Sequence, residues 1–140
     1  MPTLALAAVR GDEAMYVGGT ITSIPEKTEG RLLLDDSAAL KFTSKKGDLS
    51  ITYTKISSIE YGQKAGRRVG VALAVSPLAL FSKKRKHYVT IGFADEAGKN
   101  QGAVLEVSKG NVRSLLTTLE TRSGKQVEFE SEEAKKNAGR

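Results

Sequence analysis

The feature that most limits what this chain can fold into is a period of two that recurs in short segments. In LSITYT, Leu49, Ile51 and Tyr53 alternate with Ser50, Thr52 and Thr54. That spacing puts the large side chains on one face of a strand and the hydroxyls on the other. HYVTIGFAD repeats the pattern with Val89, Ile91 and Phe93, and GAVLEVSK answers it with Ala103, Leu105 and Val107. The intervening DEAGKNQG contains a glycine turn, so these two runs predict a hairpin. YVGGTITSI (Tyr16 to Ile24), RLLLDD, AALKFTSK and KISSIEYGQ supply further β-rich runs, punctuated by turn chemistry at PEKTEG and KKGD. Strands this short cannot bury a face alone; they must pair and close over a shared core.

The period changes once. In KGNVRSLLTTLETRSGK, Val112, Leu115, Leu116 and Leu119 fall at i, i+3, i+4 and i+7, one face of an amphipathic helix. Ser108 or Asn111 is placed to cap its start and Gly124 to stop it. The final QVEFESEEAKKNAGR is acidic, then small and polar, and is expected to fray after about Glu130. The expected architecture is mainly β: a sandwich or barrel of about seven antiparallel strands capped by one C-terminal α-helix. With 140 residues the chain is one domain. An N-terminal arm or signal remnant covers 1–15, the β domain 16–125 and an acidic, polar tail 126–140.

Charge is concentrated in one window. Between Tyr61 and Ala94 stand seven cations (Lys64, Arg67, Arg68, Lys83, Lys84, Arg85 and Lys86) and no acid. Taking these seven from the 22 cations leaves 15 against 16 acids, so the rest of the chain nets −1. The same window holds an uncharged run, residues 69–81, with Val71, Leu73, Val75, Leu78, Leu80 and Phe81. As a single helix that run reaches about 20 Å, against a hydrocarbon core of about 30 Å, so it cannot span a bilayer alone. Pro77 also divides it. Residues 64–86 are therefore an apolar and basic loop inserted between two strands, long for a connection without a role of its own.

Chemistry-bearing residues are sparse. There is no cysteine, which excludes disulfides, thiolate nucleophiles and cysteine-held metals. His87 is the only histidine and falls in phase with Val89 and Ile91 at a strand start, a structural position. The paired acids (Asp35 with Asp36, Asp95 with Glu96, and Glu128, Glu130, Glu132 and Glu133) lie in turns or the tail, where solvated carboxylates are the rule. The glycines of GGT and AGRRVG lack the spacing of a phosphate loop. No catalytic residue, metal ligand or cofactor site is assigned, and the chain is read as a non-enzyme. Nucleic acid ranks below other anionic partners, because few aromatics stand among the cations to stack on bases. The apolar run Leu4 to Val9, with Ala5, Ala7 and Ala8, has the look of the end of an export signal without its basic start.

The order of elements resembles the pleckstrin-homology fold and its bacterial and GRAM-like relatives, among them small bacterial proteins of unknown role. The resemblance is carried by EGRLLLDDSAALKF, LSITYTKISSIEYG, the HYVTIGFAD and GAVLEVSK hairpin and the helix from Asn111 to Arg122. It implies a binding module for anionic lipid headgroups or for partner proteins. One departure is plain: the first hairpin loop, PEKTEGR, interleaves Lys27 and Arg31 with Glu26 and Glu29, and the basic charge has moved to 64–86. The seven cations are the expected lipid or anion contacts, and the six large apolar residues of 69–81 the expected apolar contacts. Three uses of the loop stand side by side: docking peripherally on anionic membrane, docking on a partner protein or a second copy, and folding back as an intramolecular lid.

Overall fold

The computed structural model describes residues 13–62, 87–129 and 132–139. The alternating segments become strands β1 (Glu13–Gly19), β2 (Thr28–Leu33), β3 (Ala39–Thr43), β4 (Leu49–Thr52), β5 (Ile56–Gly62), β6 (His87–Ala94), β7 (Asn100–Val107) and β8 (Val127–Phe129). They form one curled eight-stranded sheet in the order β4-β3-β2-β1-β7-β6-β5-β8, a half-barrel. Each neighbouring pair is antiparallel except β5 with β8. A 3₁₀ turn, Tyr53–Lys55, links β4 to β5; helix α1 (Lys109–Ser123) follows β7, and the short α2 (Glu132–Asn137) follows β8. The mainly β architecture closed by a C-terminal helix is what the periodicity predicts.

The core lies inside the curl. Leu40, Phe42, Ile51, Tyr53, Ile59, Tyr61, Val89, Ile91, Ala103 and Leu105 project into it, and α1 adds Val112, Leu115, Leu116 and Leu119. Ser108 occupies the N-cap position of α1 without a side-chain capping bond. Gly124 ends the helix at φ 76°, its N–H donating to the Glu120 carbonyl, a left-handed stop that glycine adopts without a Cβ penalty.

Arg122, in the last turn of α1, moors the helix to the sheet. Its Nη1 donates to the carbonyls of Leu34 (2.7 Å) and Asp36 (3.4 Å) and to the Tyr53 hydroxyl (3.2 Å). The guanidinium carbon also lies 5.3 Å from the centroid of the Tyr53 ring. Arg122→Ala is expected to cost about 1.5–3 kcal/mol, the range for a hydrogen bond to a charged group. Arg122→Lys should recover only part of it, since lysine lacks the planar guanidinium that lies over the Tyr53 ring. Urea unfolding of the two variants beside the parent measures both; a fully stable Ala variant would show that Arg122 bears no load.

Two stretches differ from their sequence-based expectation. Tyr16 to Ile24 is not one strand: β1 begins earlier, at Glu13, and stops at Gly19. Hydrogen bonds within the turn and across to β7 end it. The Thr20 N–H donates to the Gly102 carbonyl, the Gly102 N–H donates to Thr20 Oγ1, and the Tyr16 hydroxyl both donates to the Ile21 carbonyl and accepts from the Ile21 N–H. The C-terminal stretch does not fray after Glu130. Val127 to Phe129 adds an eighth strand, parallel to β5, with the Val127 N–H held by Glu120 Oε2 at 2.9 Å. Ala134 of α2 and Ala138 just after it are buried in the core. Small residues pack closely, and composition alone reads them as tail.

The sheet is also dry on part of its outer surface. Glu60, Thr90, Val104 and Gly18 stand side by side across β5, β6, β7 and β1, and the first three are buried, as are Val17 and Tyr88. The outward residues of β2, β3 and β4 (Glu29, Arg31, Lys41 and Ser50) are exposed, the usual amphipathic condition of an antiparallel sheet.

Candidate functional site

The β5–β6 ladder stays in register to its last residues, pairing Tyr61 with Val89 and Gly62 with Tyr88. The chain therefore leaves β5 and re-enters β6 on adjacent strands, a junction that about two to five residues can make. Here the connection is residues 63–86. The expected anion contacts (Lys64, Arg67, Arg68, Lys83, Lys84, Arg85 and Lys86) and the expected apolar contacts (Val71, Leu73, Val75, Leu78, Leu80 and Phe81) lie outside the described residues. What the structure defines is their attachment.

Aromatic packing reinforces that attachment. His87, the first residue of β6, places Nδ1 2.6 Å from the hydroxyl of Tyr61. The two rings lie nearly parallel, 9° apart with centroids separated by 6.1 Å, and Phe129 of β8 meets the other side of the cluster edge-on, 6.3 Å from Tyr61. Tyr61 is wholly buried and His87 half-buried. Burial holds the His87 pKa below its ordinary value; nearby Lys109 pushes the same way, and Glu106 opposes. His87 was expected to be structural from its phase alone. Its partner stands 26 positions away in sequence, across the inserted loop, so only strand pairing reveals it.

A second feature lies at the β1–β2 and β3–β4 loops. An open groove of about 1000 Å³ is lined by Lys27, Arg31, Lys45 and Lys46 together with Glu13, Glu29 and Glu106. Lys27 sits at φ 62°, in a left-handed turn before β2. Lys45 and Lys46 ride on a turn fastened by Ser44, whose N–H donates to Asp48 Oδ1 (3.1 Å) and whose hydroxyl donates to the Gly47 carbonyl. Gly47 adopts φ 154°, and a Cβ there would meet Ile24 of the first loop at 3.1 Å, so the two loops pack closely. The sequence showed Lys45 and Lys46 only as turn chemistry; their meeting with Lys27 is a product of the fold. Glu13 stands opposite Arg31 in the β1–β2 register, so the groove holds charges of both signs. No protein-family model matches the chain, and no curated protein matches it.

Two of the paired acids, Asp36 and Asp95, are held in their ionised form. Asp36 accepts from the Ala38 N–H at 2.8 Å, and this bond, with Lys41 beside it at 3.4 Å, holds its carboxyl below the usual range. Asp95 accepts from the Gln101 side chain and the Lys99 and Ala97 N–H groups, each at 2.9 Å, and is lowered likewise. A general acid working near neutrality needs the opposite shift. Among the described residues no three His, Asp or Glu side chains gather as a metal ion requires, and no helix is long and apolar enough to cross a membrane.

Proposed function

We propose that this chain is a non-enzymatic binding module, pleckstrin-homology-like in design, that docks on an anionic membrane or lipid surface through the loop between β5 and β6. The observation that supports it is a coincidence of fold and charge. The single window that carries seven cations and no acid is the one inserted at the end of a hairpin paired without a break from Ser58 to Gly62. Each Lys or Arg close to an anionic leaflet contributes about 1 kcal/mol, and apolar residues such as Leu78, Leu80 and Phe81 add burial at the headgroup level. The groove is the weaker anion site, because Glu13, Glu29 and Glu106 face the same space as its cations.

Co-sedimentation of the full chain with vesicles tests this. Binding should be weak to phosphatidylcholine alone, rise steeply as phosphatidylserine is added, and fall as salt shortens the Debye length from about 10 Å at 0.1 M to about 3 Å at 1 M. Equal binding to neutral and anionic vesicles sinks the electrostatic part. The runner-up, a protein-interaction or self-association module using the same apolar run, gives a different result. Light scattering would then show a dimer or larger species that dissociates when Leu78, Leu80 and Phe81 are made polar.

A further inference from the structure

The groove beside the β1–β2 and β3–β4 loops opens on the outer face of the sheet. Val107 of β7, Ala14 of β1 and Phe42 of β3 are buried in the core, so the residues next to them in each strand point the other way. On that outer face Glu106 stands opposite Met15, and Met15 opposite Glu29; two residues along the strands, Glu13 stands opposite Arg31 and Arg31 opposite Thr43. The charges are sorted across the strands. Glu106 and Glu13 mark the β7 and β1 end of the groove, Lys45 and Lys46 the far end on the turn beyond β3, and Glu29 and Arg31 of β2 stand between, with Lys27 added from the turn before β2. Glu13, Lys27, Glu29, Arg31, Lys45 and Lys46 are all exposed, and no two of them form an ion pair. The one ion pair among the described residues, Lys41 with Asp36, lies outside the groove.

We propose that this groove is a docking site for an extended polypeptide segment of mixed charge, which crosses the strands with a basic residue over Glu13 and Glu106 and an acidic residue over Lys45 and Lys46. Charge complementarity selects that class of partner. A polyanion such as nucleic acid meets the glutamates, and a polycation meets the lysines. Small-molecule sites are mostly apolar with few polar groups, the reverse of this lining. From β7 through β1 and β2 to β3 the groove crosses three strand spacings, about 14 Å. The phosphate and ammonium of a zwitterionic lipid headgroup, joined by a short ethylene link, cannot reach both ends. An extended chain rises about 3.4 Å per residue, so its positions i and i+4 lie about 14 Å apart and, by the period of two, face the same side. The partner therefore carries a cation and an acid four positions apart. The site is separate from residues 64–86 and stands whatever they bind.

Amide NMR titration of the full chain with a set of synthetic peptides tests this. All have one length and a serine and threonine filling; they carry, respectively, an arginine with a glutamate four positions on, the same two residues side by side, two arginines, or two glutamates. The first should shift the amides of Glu13, Met15, Glu29, Arg31, Thr43 and Lys45 saturably and leave Ile91 and Leu119 unmoved. The other peptides should bind more weakly by about fivefold, the upper worth of one exposed ion pair. Lys45→Glu combined with Lys46→Glu, in an exposed turn, should weaken the first peptide by about the same factor and strengthen the two-arginine one. The proposal is overturned if no peptide gives a saturable shift in the groove, or if the shifts lie elsewhere on the chain. It is equally overturned if the two-glutamate peptide binds as well as the first, which makes the groove an anion site only, or if the side-by-side peptide does, which removes the span. The parent chain alone decides each of these.

Discussion

Leu119→Ala is expected to lower the unfolding free energy by about 2–5 kcal/mol, the range for truncating a fully buried leucine. Leu119 is 0% exposed and belongs to the face of α1, with Val112, Leu115 and Leu116, that fills the half-barrel. The cost should lie toward the upper part of that range because the cavity cannot easily collapse. Arg122 and Gly124 hold the C-terminal end of α1, and the sheet residues opposite belong to a hydrogen-bonded ladder. Urea unfolding should show a lower midpoint with an unchanged slope, since the surface exposed on unfolding hardly differs. Thr117→Ala, on the exposed side of the same helix, should stay within about 0.5 kcal/mol. If Leu119→Ala cost no more than that control, α1 would be an appendage and not part of the core.

The second large effect concerns binding. Replacing Lys83, Lys84, Arg85 and Lys86 together by alanine should weaken association with phosphatidylserine-containing vesicles by about 4 kcal/mol, roughly a thousandfold, from about 1 kcal/mol per cation. The residual binding should also depend less on salt. Stability should be unchanged, which separates a binding defect from a folding one. A variant that bound as tightly as the parent would refute the docking proposal and leave the apolar run, through Leu78, Leu80 and Phe81, as the part that meets a partner. Neutralising Lys27, Lys45 and Lys46 in the groove should have the smaller effect, given the three glutamates there.

Much of the fold was legible because it rests on local periodicity. The faces of β6, β7 and α1 follow from spacings of two and of three to four, and burial of Val89, Ile91, Leu105, Leu116 and Leu119 confirms them. Expectation and structure part where long-range contacts override local pattern. Tyr16 to Ile24 has strand composition throughout, yet the Tyr16 hydroxyl and Thr20 capture the backbone after Gly19 and turn it. Val127 to Phe129 lies in an acidic stretch, yet Glu120 receives its first N–H and the edge of β5 is open to pair with it. Of the candidate site, the sequence showed the charge window and its apolar run. It could not show that Tyr61 and His87 touch, or that Lys27 shares a groove with Lys45 and Lys46.

By itself, then, the sequence determined a mainly β chain with one amphipathic helix against its core, no cysteine chemistry, and all of its net positive charge in one inserted stretch. These depend on residue type and nearest spacing alone. Only the tertiary structure decided that the sheet has an eighth, parallel strand, that part of the outer face of β1, β7, β6 and β5 is buried, and that His87 is bonded to Tyr61. Each of those depends on which strands lie side by side. Pairing residues far apart in sequence is set by closing the whole sheet over one core, which no local period encodes.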